Sequence, residues 1–172
     1  SYGWALDPKY KDVMSCYSPL IDGMVNRYTH VSASIEDLVK KAEAGTFTAE
    51  RLGTCIYRCV GYDAFHALAA TTWEMDQDLG TEYHPRFMEF LKMVQEKDLS
   101  VAGALTEPRG RRDKKTLDWS DPYLSLKVVE KNEKGIVVRG AKINISGAFA
   151  SHELVVMPQS SHRKGEEDYS VA

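Results

Sequence analysis

The sequence predicts an α+β chain in two halves, helical over residues 1–99 and strand-rich over residues 100–172. Two observations carry that expectation. In the first half apolar residues recur with helical spacing, as at Phe87, Phe90, Leu91 and Val94. In the second half they alternate, as at Leu124, Leu126 and Val128. Composition sets the frame. The 172 residues are 43% hydrophobic and 27% charged, the balance of a soluble globular protein with room for one ordinary domain or two small ones. A net charge of −3 gives no electrostatic case for nucleic acid or an anionic membrane. No apolar run approaches the roughly 20 residues that span a bilayer, and no charged-then-apolar signal segment opens the chain.

Ser18 to Val31 has the spacing of a helix with a polar start. Ser34 with Asp37 three residues on resembles a capping box and opens a helix to about Ala44. Thr48 opens the next, which contains Cys55 and Cys59, and a further helix runs from Asp63 to about Leu79. Phe87 to Val94 forms the last amphipathic stripe. Beyond residue 100, Asn132-Glu133-Lys134-Gly135 is a turn signal followed by the strand Ile136-Val137-Val138. Ile143 and Ile145 alternate as in a strand, and Leu154 to Met157 reads as a buried strand stopped by Pro158. Tyr169-Ser170-Val171-Ala172 reads as the start of another strand. With Ser1 in place of an initiator Met, it gives the expectation of a piece of a longer polypeptide.

The three cysteines are Cys16, Cys55 and Cys59. An odd, low count without export signals argues for a reducing, cytoplasmic compartment and against a disulfide scaffold. Cys55-Ile56-Tyr57-Arg58-Cys59 is a C-x-x-x-C. On a helix its thiols share one face, one turn apart, and so can ligate one metal or adjacent irons of one cluster. Spacing alone favours the plainer reading of two buried thiols packed as small hydrophobes. His66 lies on the same stripe as Cys59, but seven helical residues span about 10 Å, too far to share one ion. Cys16 has no partner spacing and reads as core. His30, His84 and His162 read as surface or satisfied residues, and His152 opens a strand near a candidate ligand.

Two loops of the strand half carry polar chemistry. Gly103-Ala104-Leu105-Thr106-Glu107-Pro108-Arg109-Gly110-Arg111-Arg112 combines turn formers with guanidinium groups. Backbone N–H groups in such a turn, and Arg forks, bind carbonyls or phosphates. A plain basic surface loop has the same composition. In Ala141-Lys142-Ile143-Asn144-Ile145-Ser146-Gly147-Ala148 the Asn and Ser side chains can meet a ring edge, or satisfy their own backbone.

In order, the chain carries C-x-x-x-C-V-G-x-D-A, G-A-L-T-E-P-R-G-x-R, D-P-Y-L, V-V-E-K-x-x-x-G-I-V-V-R-G-A-K, S-G-A, S-H-E and V-M-P. Over essentially its whole length it resembles the 4-hydroxybutyryl-CoA dehydratases (vinylacetyl-CoA isomerases), relatives of the flavin-dependent 4-hydroxyphenylacetate 3-hydroxylases. The resemblance implies an acyl-CoA dehydrogenase-like fold, with a helical N-terminal domain, part of a middle β-barrel, and a C-terminal four-helix domain that lies beyond Ala172. It implies FAD held by Leu105, Thr106, Glu107, Arg109, Gly110 and Arg112, and by Asn144, Ser146 and Gly147. It implies a 4Fe-4S cluster with Cys55 and Cys59 as two of four ligands, and a homotetramer. Tyr57 stands beside the cluster where a glutamine is usual, and Arg111 where an acidic residue is usual. Ser146 replaces a threonine near the reactive flavin nitrogen and keeps its hydroxyl. Tyr57 and Ser146 are therefore the catalytic candidates.

The implied reaction is the dehydration of 4-hydroxybutyryl-CoA to crotonyl-CoA. The β-hydrogen to be lost is not acidic, so the resemblance implies a radical route with flavin and cluster on opposite sides of the acyl-CoA. A flavin monooxygenase with merely structural cysteines, and a stable fragment without activity, are the competing expectations.

Overall fold

The computed structural model describes residues 3–4, 7–53, 59–108, 118 and 120–172, and of residues 59–62 the backbone alone. Its elements in chain order are α1 (Lys11–Met14), β1 (Ser15–Ser18), β2 (Gly23–Asn26), α2 (Ile35–Leu52), α3 (Cys59–Leu79), α4 (Tyr83–Glu96), β3 (Val101–Ala104), β4 (Lys127–Asn132), β5 (Gly135–Arg139) and β6 (Glu153–Val156). Short 3₁₀ turns lie at Arg27–Thr29, Ala148–Ala150 and Glu167–Tyr169. The class is α+β. The strands among the described residues form three two-stranded sheets, β1-β2, β3-β6 and β4-β5. The chain divides into two compact units, one of residues 1–101 with 151–153, the other of residues 102–150 with 154–172. No helix among the described residues is long and apolar enough to cross a membrane.

In the first unit the segment expected to be a helix over Ser18–Val31 is an antiparallel hairpin, Ser15 facing Asn26 and Ser18 facing Gly23. Leu20, Ile21, Met24, Val25 and Tyr28 mimic a helical period, but Pro19 and Asp22-Gly23 demand a turn, and Asp22 takes a positive φ of 48°. The hairpin is fastened from both sides. Arg27 is buried and donates to the carbonyls of Val13 (2.8 Å), Asp12 (2.7 Å) and Ser15 (2.7 Å). Gln95 of α4 accepts from the Ser18 hydroxyl (2.7 Å) and donates to the Thr29 carbonyl (2.8 Å).

Helix α2 begins as its sequence predicts. Ser34 Oγ accepts from the Asp37 amide at 3.1 Å, and the Asp37 carboxylate accepts from the Ala33 amide at 3.1 Å. The helix does not stop at Ala44. It runs through Gly45 to Leu52 and ends where Gly53 turns left-handed at φ 66°. Thr48 is not a cap, because its hydroxyl bonds back to the Ala44 carbonyl and meets Tyr28 Oη at 2.7 Å. The single helix expected from Thr48 through Cys59 is therefore broken: α2 ends at Leu52, and Cys59 is the first residue of α3. Met14, Tyr28 and Ala44 form a buried cluster, with Trp4, Tyr10, Val13 and Phe47 packed against it.

Helices α3 and α4 form an antiparallel pair. Phe65 lies 6.4 Å from Phe87 and 6.5 Å from Phe90, ring centroid to centroid, while Leu91 and Val94 are fully buried, so the expected stripe is the packed face. Asp76 sets the angle of the turn. Its carboxylate accepts from the Thr81 hydroxyl (2.6 Å), the Tyr83 amide (2.8 Å) and the His84 amide (2.9 Å), satisfying the orphan donors of α4 from a neighbouring helix. Burial by itself raises the Asp76 pKa, but these three donors outweigh it and hold the carboxyl below its usual range. A folded-state pKa below the unfolded one stabilises above the unfolded value and is lost as pH falls through the folded one. Asp76→Ala is accordingly expected to speed amide exchange at Tyr83 and His84 at neutral pH. Acidification below about pH 4 should do the same to the wild type. Unchanged exchange at both amides in the variant would remove this role.

In the second unit β4 and β5 pair with Asn132 facing Gly135, so Glu133-Lys134 is the two-residue turn the sequence signals. A register shift between Val128 and Glu130 marks a bulge at Val129. The strand expected over Ile143–Ile145 is absent, because Asn144 sits at φ 55° and breaks the extended path. In β6 only Val155 is buried, and Leu154 is half exposed. Tyr169 belongs to a 3₁₀ turn instead of the expected strand. Its ring is buried, its hydroxyl donates to the Pro122 carbonyl at 2.9 Å, and the Glu166 carboxylate accepts the Arg163 amide at 3.1 Å.

Candidate functional site

The polar segments singled out in the strand half meet in the second unit. Strand β3 delivers Leu105, Thr106 and Glu107 at its C-terminal end, and β6 delivers Met157 and Gln159 beyond its own. The segment after β5 lies against both. The Ile143 amide donates to the Thr106 carbonyl at 2.9 Å, and the Glu107 amide donates to Gln159 Oε1 at 2.6 Å. Lys142 joins all three segments. Its ammonium donates to Glu107 Oε1 (2.6 Å), the Met157 carbonyl (2.7 Å) and the Leu105 carbonyl (3.2 Å). Both side chains of the Lys142–Glu107 pair are only 9% exposed.

Gly140 feeds this segment. It has φ 141°, and a Cβ there would lie 2.6 Å from Leu126 Cα and 2.7 Å from the Ser125 carbonyl carbon, so only glycine fits. Past Lys142 the left-handed Asn144 turns the chain, and Ser146-Gly147 makes a turn closed by Ala148 N–H donating to Ile145 O at 3.1 Å. Asn144 and Ser146 are exposed, Thr106 is half-buried and Gly147 is buried. The structure thus brings Leu105–Glu107 next to Ile143 and Asn144, with an amide, hydroxyls and turn amides of known chain position around them. That donor and acceptor set fits the edge of a flavin ring, which presents carbonyls and ring nitrogens in one plane. Glu107 is engaged at both ends, its carboxylate by Lys142 and its amide by Gln159.

Arg109, Gly110, Arg111 and Arg112 lie outside the described residues, as do Cys55 and Tyr57, and of Cys59 only the backbone is described. No group of three or more His, Cys, Asp or Glu among the described residues could hold a metal ion. Cys16 is a free thiol on β1 opposite Val25, half-buried, and burial pushes its pKa up. His66 of α3 accepts the Ser32 amide at 2.8 Å, and His152 accepts the Ser100 amide at 3.1 Å, so both rings are engaged within the first unit. His30 is buried 3.7 Å from Asp37, and desolvation lowers its pKa despite that carboxylate. His84 meets the Thr72 hydroxyl at 3.1 Å. His162 departs from the expectation of a surface or satisfied residue. Its Nε2 is buried with no partner among the described residues, and its ring stacks on Tyr169 at 6.2 Å.

Sequence reasoning missed Lys142, Gly140 and Gln159. Lys142 closes the quoted run ending R-G-A-K, where a lysine between Ala141 and Ile143 offered the signal of a cation set in an apolar stretch.

Residues 1–172 match the family model described as 4-hydroxyphenylacetate 3-hydroxylase N terminal. The chain is 44% identical over its full length to the 4-hydroxybutyryl-CoA dehydratase/vinylacetyl-CoA-Δ-isomerase of Clostridium aminobutyricum, covering 35% of that protein. It is 26% identical over 167 residues to the oxygenase component of 4-hydroxyphenylacetate 3-monooxygenase from Thermus thermophilus, covering 96% of this chain and 33% of that one. Among solved structures, an oxygen-tolerant archaeal 4-hydroxybutyryl-CoA dehydratase from N. maritimus superposes with a TM-score of 0.91 at 38% identity, over 98% of this chain and 33% of that one. The oxygenase component of a 4-hydroxyphenylacetate 3-monooxygenase, complexed with FAD, shares the fold with a TM-score of 0.73 at 22% identity, over 98% of this chain and 34% of that one. The chain spans about a third of the length of the curated relatives it matches.

Proposed function

Because the chain belongs to the family of the 4-hydroxyphenylacetate 3-hydroxylase N-terminal domain, we propose that it is the flavin-cradling, cluster-anchoring part of an acyl-CoA dehydratase and isomerase acting on 4-hydroxybutyryl-CoA. The observation that supports the dehydratase over the monooxygenase branch is the 44% identity to the clostridial dehydratase along the entire chain, against 26% to the Thermus monooxygenase component. On this reading the three two-stranded sheets belong to an acyl-CoA dehydrogenase-like fold whose barrel and C-terminal helices are completed by sequence beyond this chain. The complete enzyme is a homotetramer.

When bound, FAD would supply electron transfer, and an iron–sulfur cluster would supply Lewis acidity. The chain's own residues bind and orient. Asn144 and the Ser146 hydroxyl hydrogen-bond the flavin edge, with Gly147 permitting close backbone approach. Leu105, Thr106 and Glu107 would hold a second part of the flavin, and the Arg109 and Arg112 forks would take the phosphates. Cys55 and Cys59 supply two thiolates to the cluster, the remaining ligands coming from other sequence. Tyr57, between them in sequence, is the catalytic candidate near the cluster.

The test is the iron and flavin content of the full gene product purified without oxygen, beside a Cys55→Ala/Cys59→Ala double variant. About four irons per subunit and one flavin are expected, with the iron lost and the flavin retained in the variant. Flavin without iron in both samples overturns the cluster assignment and moves the protein to the monooxygenase branch.

A further inference from the structure

Among the described residues the site contains a buried cation, Lys142, that the proposed cofactor contacts do not use. The Lys142 ammonium is 2.6 Å from Glu107 Oε1 and also holds the carbonyls of Leu105 and Met157, at 3.2 and 2.7 Å, with its side chain 9% exposed. Charge neutralisation needs only the carboxylate. Two carbonyls from two further positions, one on either strand end, give the ammonium a second consequence. Its three donors fix the end of β3, the end of β6 and the segment leading to Asn144 in one arrangement. Ile143 reinforces it by donating to Thr106, and Gln159 by accepting from Glu107. Beyond Lys142 the left-handed Asn144 leads into the Ser146-Gly147 turn. The two segments that would contact the flavin from different parts of the chain are thereby tied by a residue between them.

We propose that Lys142 is a positioning residue for the flavin, setting the spacing between the Leu105–Glu107 edge and the Asn144–Gly147 edge. This rests on the flavin reading above. The physical reason is that ligand contacts lose their value when the supporting shell leaves them loose by about 1 Å. A lysine that bridges three main-chain segments removes that looseness before the ligand arrives, so the ligand does not bear the ordering cost.

The experiment compares the full gene product with Lys142→Met and the double variant Glu107→Gln/Lys142→Met. The FAD dissociation constant is read by titrating the apoprotein, and thermal unfolding of the apoprotein is followed alongside. Lys142→Met is expected to lower Tm and to weaken FAD by about tenfold or more, as supporting-residue losses do at other sites. The double variant leaves no unpaired buried charge and should recover most of the Tm, even if Lys142→Met alone fails to fold. Its FAD affinity should stay about tenfold weak, because the carbonyl bonds are gone. Recovery of FAD affinity with Tm in the double variant overturns the proposal and reduces Lys142 to a counter-ion of Glu107. Wild-type FAD affinity in Lys142→Met overturns it as well. Absence of FAD binding in the wild-type protein sinks the flavin reading itself, a result distinct from either.

Discussion

Gly140→Ala is expected to destabilise the protein by about 3 kcal/mol or more and to abolish flavin binding. Two costs coincide there. A residue with a Cβ at φ 141° leaves the region open to L-residues, and the added methyl falls 2.6 Å from Leu126 Cα and 2.7 Å from the Ser125 carbonyl carbon. The obstacles are backbone, so no rotamer change relieves them. The chain must part where β5 hands over to Lys142, and the tie to the ends of β3 and β6 goes with it. Gly45 is the control. It lies inside α2 with nothing within 4 Å of an added Cβ. Gly45→Ala should therefore stabilise by about 0.5–1 kcal/mol through helix propensity. Urea unfolding of the two variants measures both. Equal midpoints for Gly140→Ala and wild type would show that the Ser125–Leu126 approach can open at no cost.

Lys41 gives the second large effect. Its side chain is fully buried on α2, its ammonium donates to the His30 carbonyl, and burial pushes its pKa down to about 8. Cys16 and Asp37 favour the charge, while Arg27 opposes it. An unfolded lysine titrates near about 10.4. Between these values the unfolded chain holds more protons than the folded one, so stability rises with pH. Below about pH 8 the full cost is present, and it amounts to about 3 kcal/mol. Lys41→Met should flatten the rise in stability between about pH 8 and 10, while costing about 1 kcal/mol for the unpaired His30 carbonyl. Urea midpoints taken across that window for both proteins decide it. Parallel curves would show that Lys41 stays charged and solvated.

Local signals were legible wherever the partner is a sequence neighbour. Ser34 and Asp37 mark the start of α2, Asn132 to Gly135 the β4-β5 turn, and Phe87 to Val94 the buried face of α4. Long-range choices were not. The β1-β2 hairpin hides behind an apolar spacing that a helix shares; Pro19 and Asp22-Gly23 mark its turn locally, but Arg27 and Gln95, which fasten it, reach carbonyls and a hydroxyl far along the chain. Thr48 looks like a cap until Tyr28 is known to lie beside it. In the candidate site, Leu105–Glu107 and Asn144–Gly147 can be picked out by residue type, but nothing local says that Thr106 meets Ile143. Lys142 was invisible for the same reason, since two of its three partners are main-chain oxygens that carry no residue identity.

Arg27 shows what that anonymity does over evolutionary time. Its guanidinium is held by the carbonyls of Asp12, Val13 and Ser15, and carbonyls are present whatever side chains those positions carry. Drift at positions 12, 13 and 15 can replace every side chain without disturbing the fastening, provided the backbone keeps its course. Position 27 has no such freedom, because lysine offers no planar fork to span three oxygens. Sequence divergence in this region should therefore be lopsided, with a single fixed arginine among neighbours free to vary.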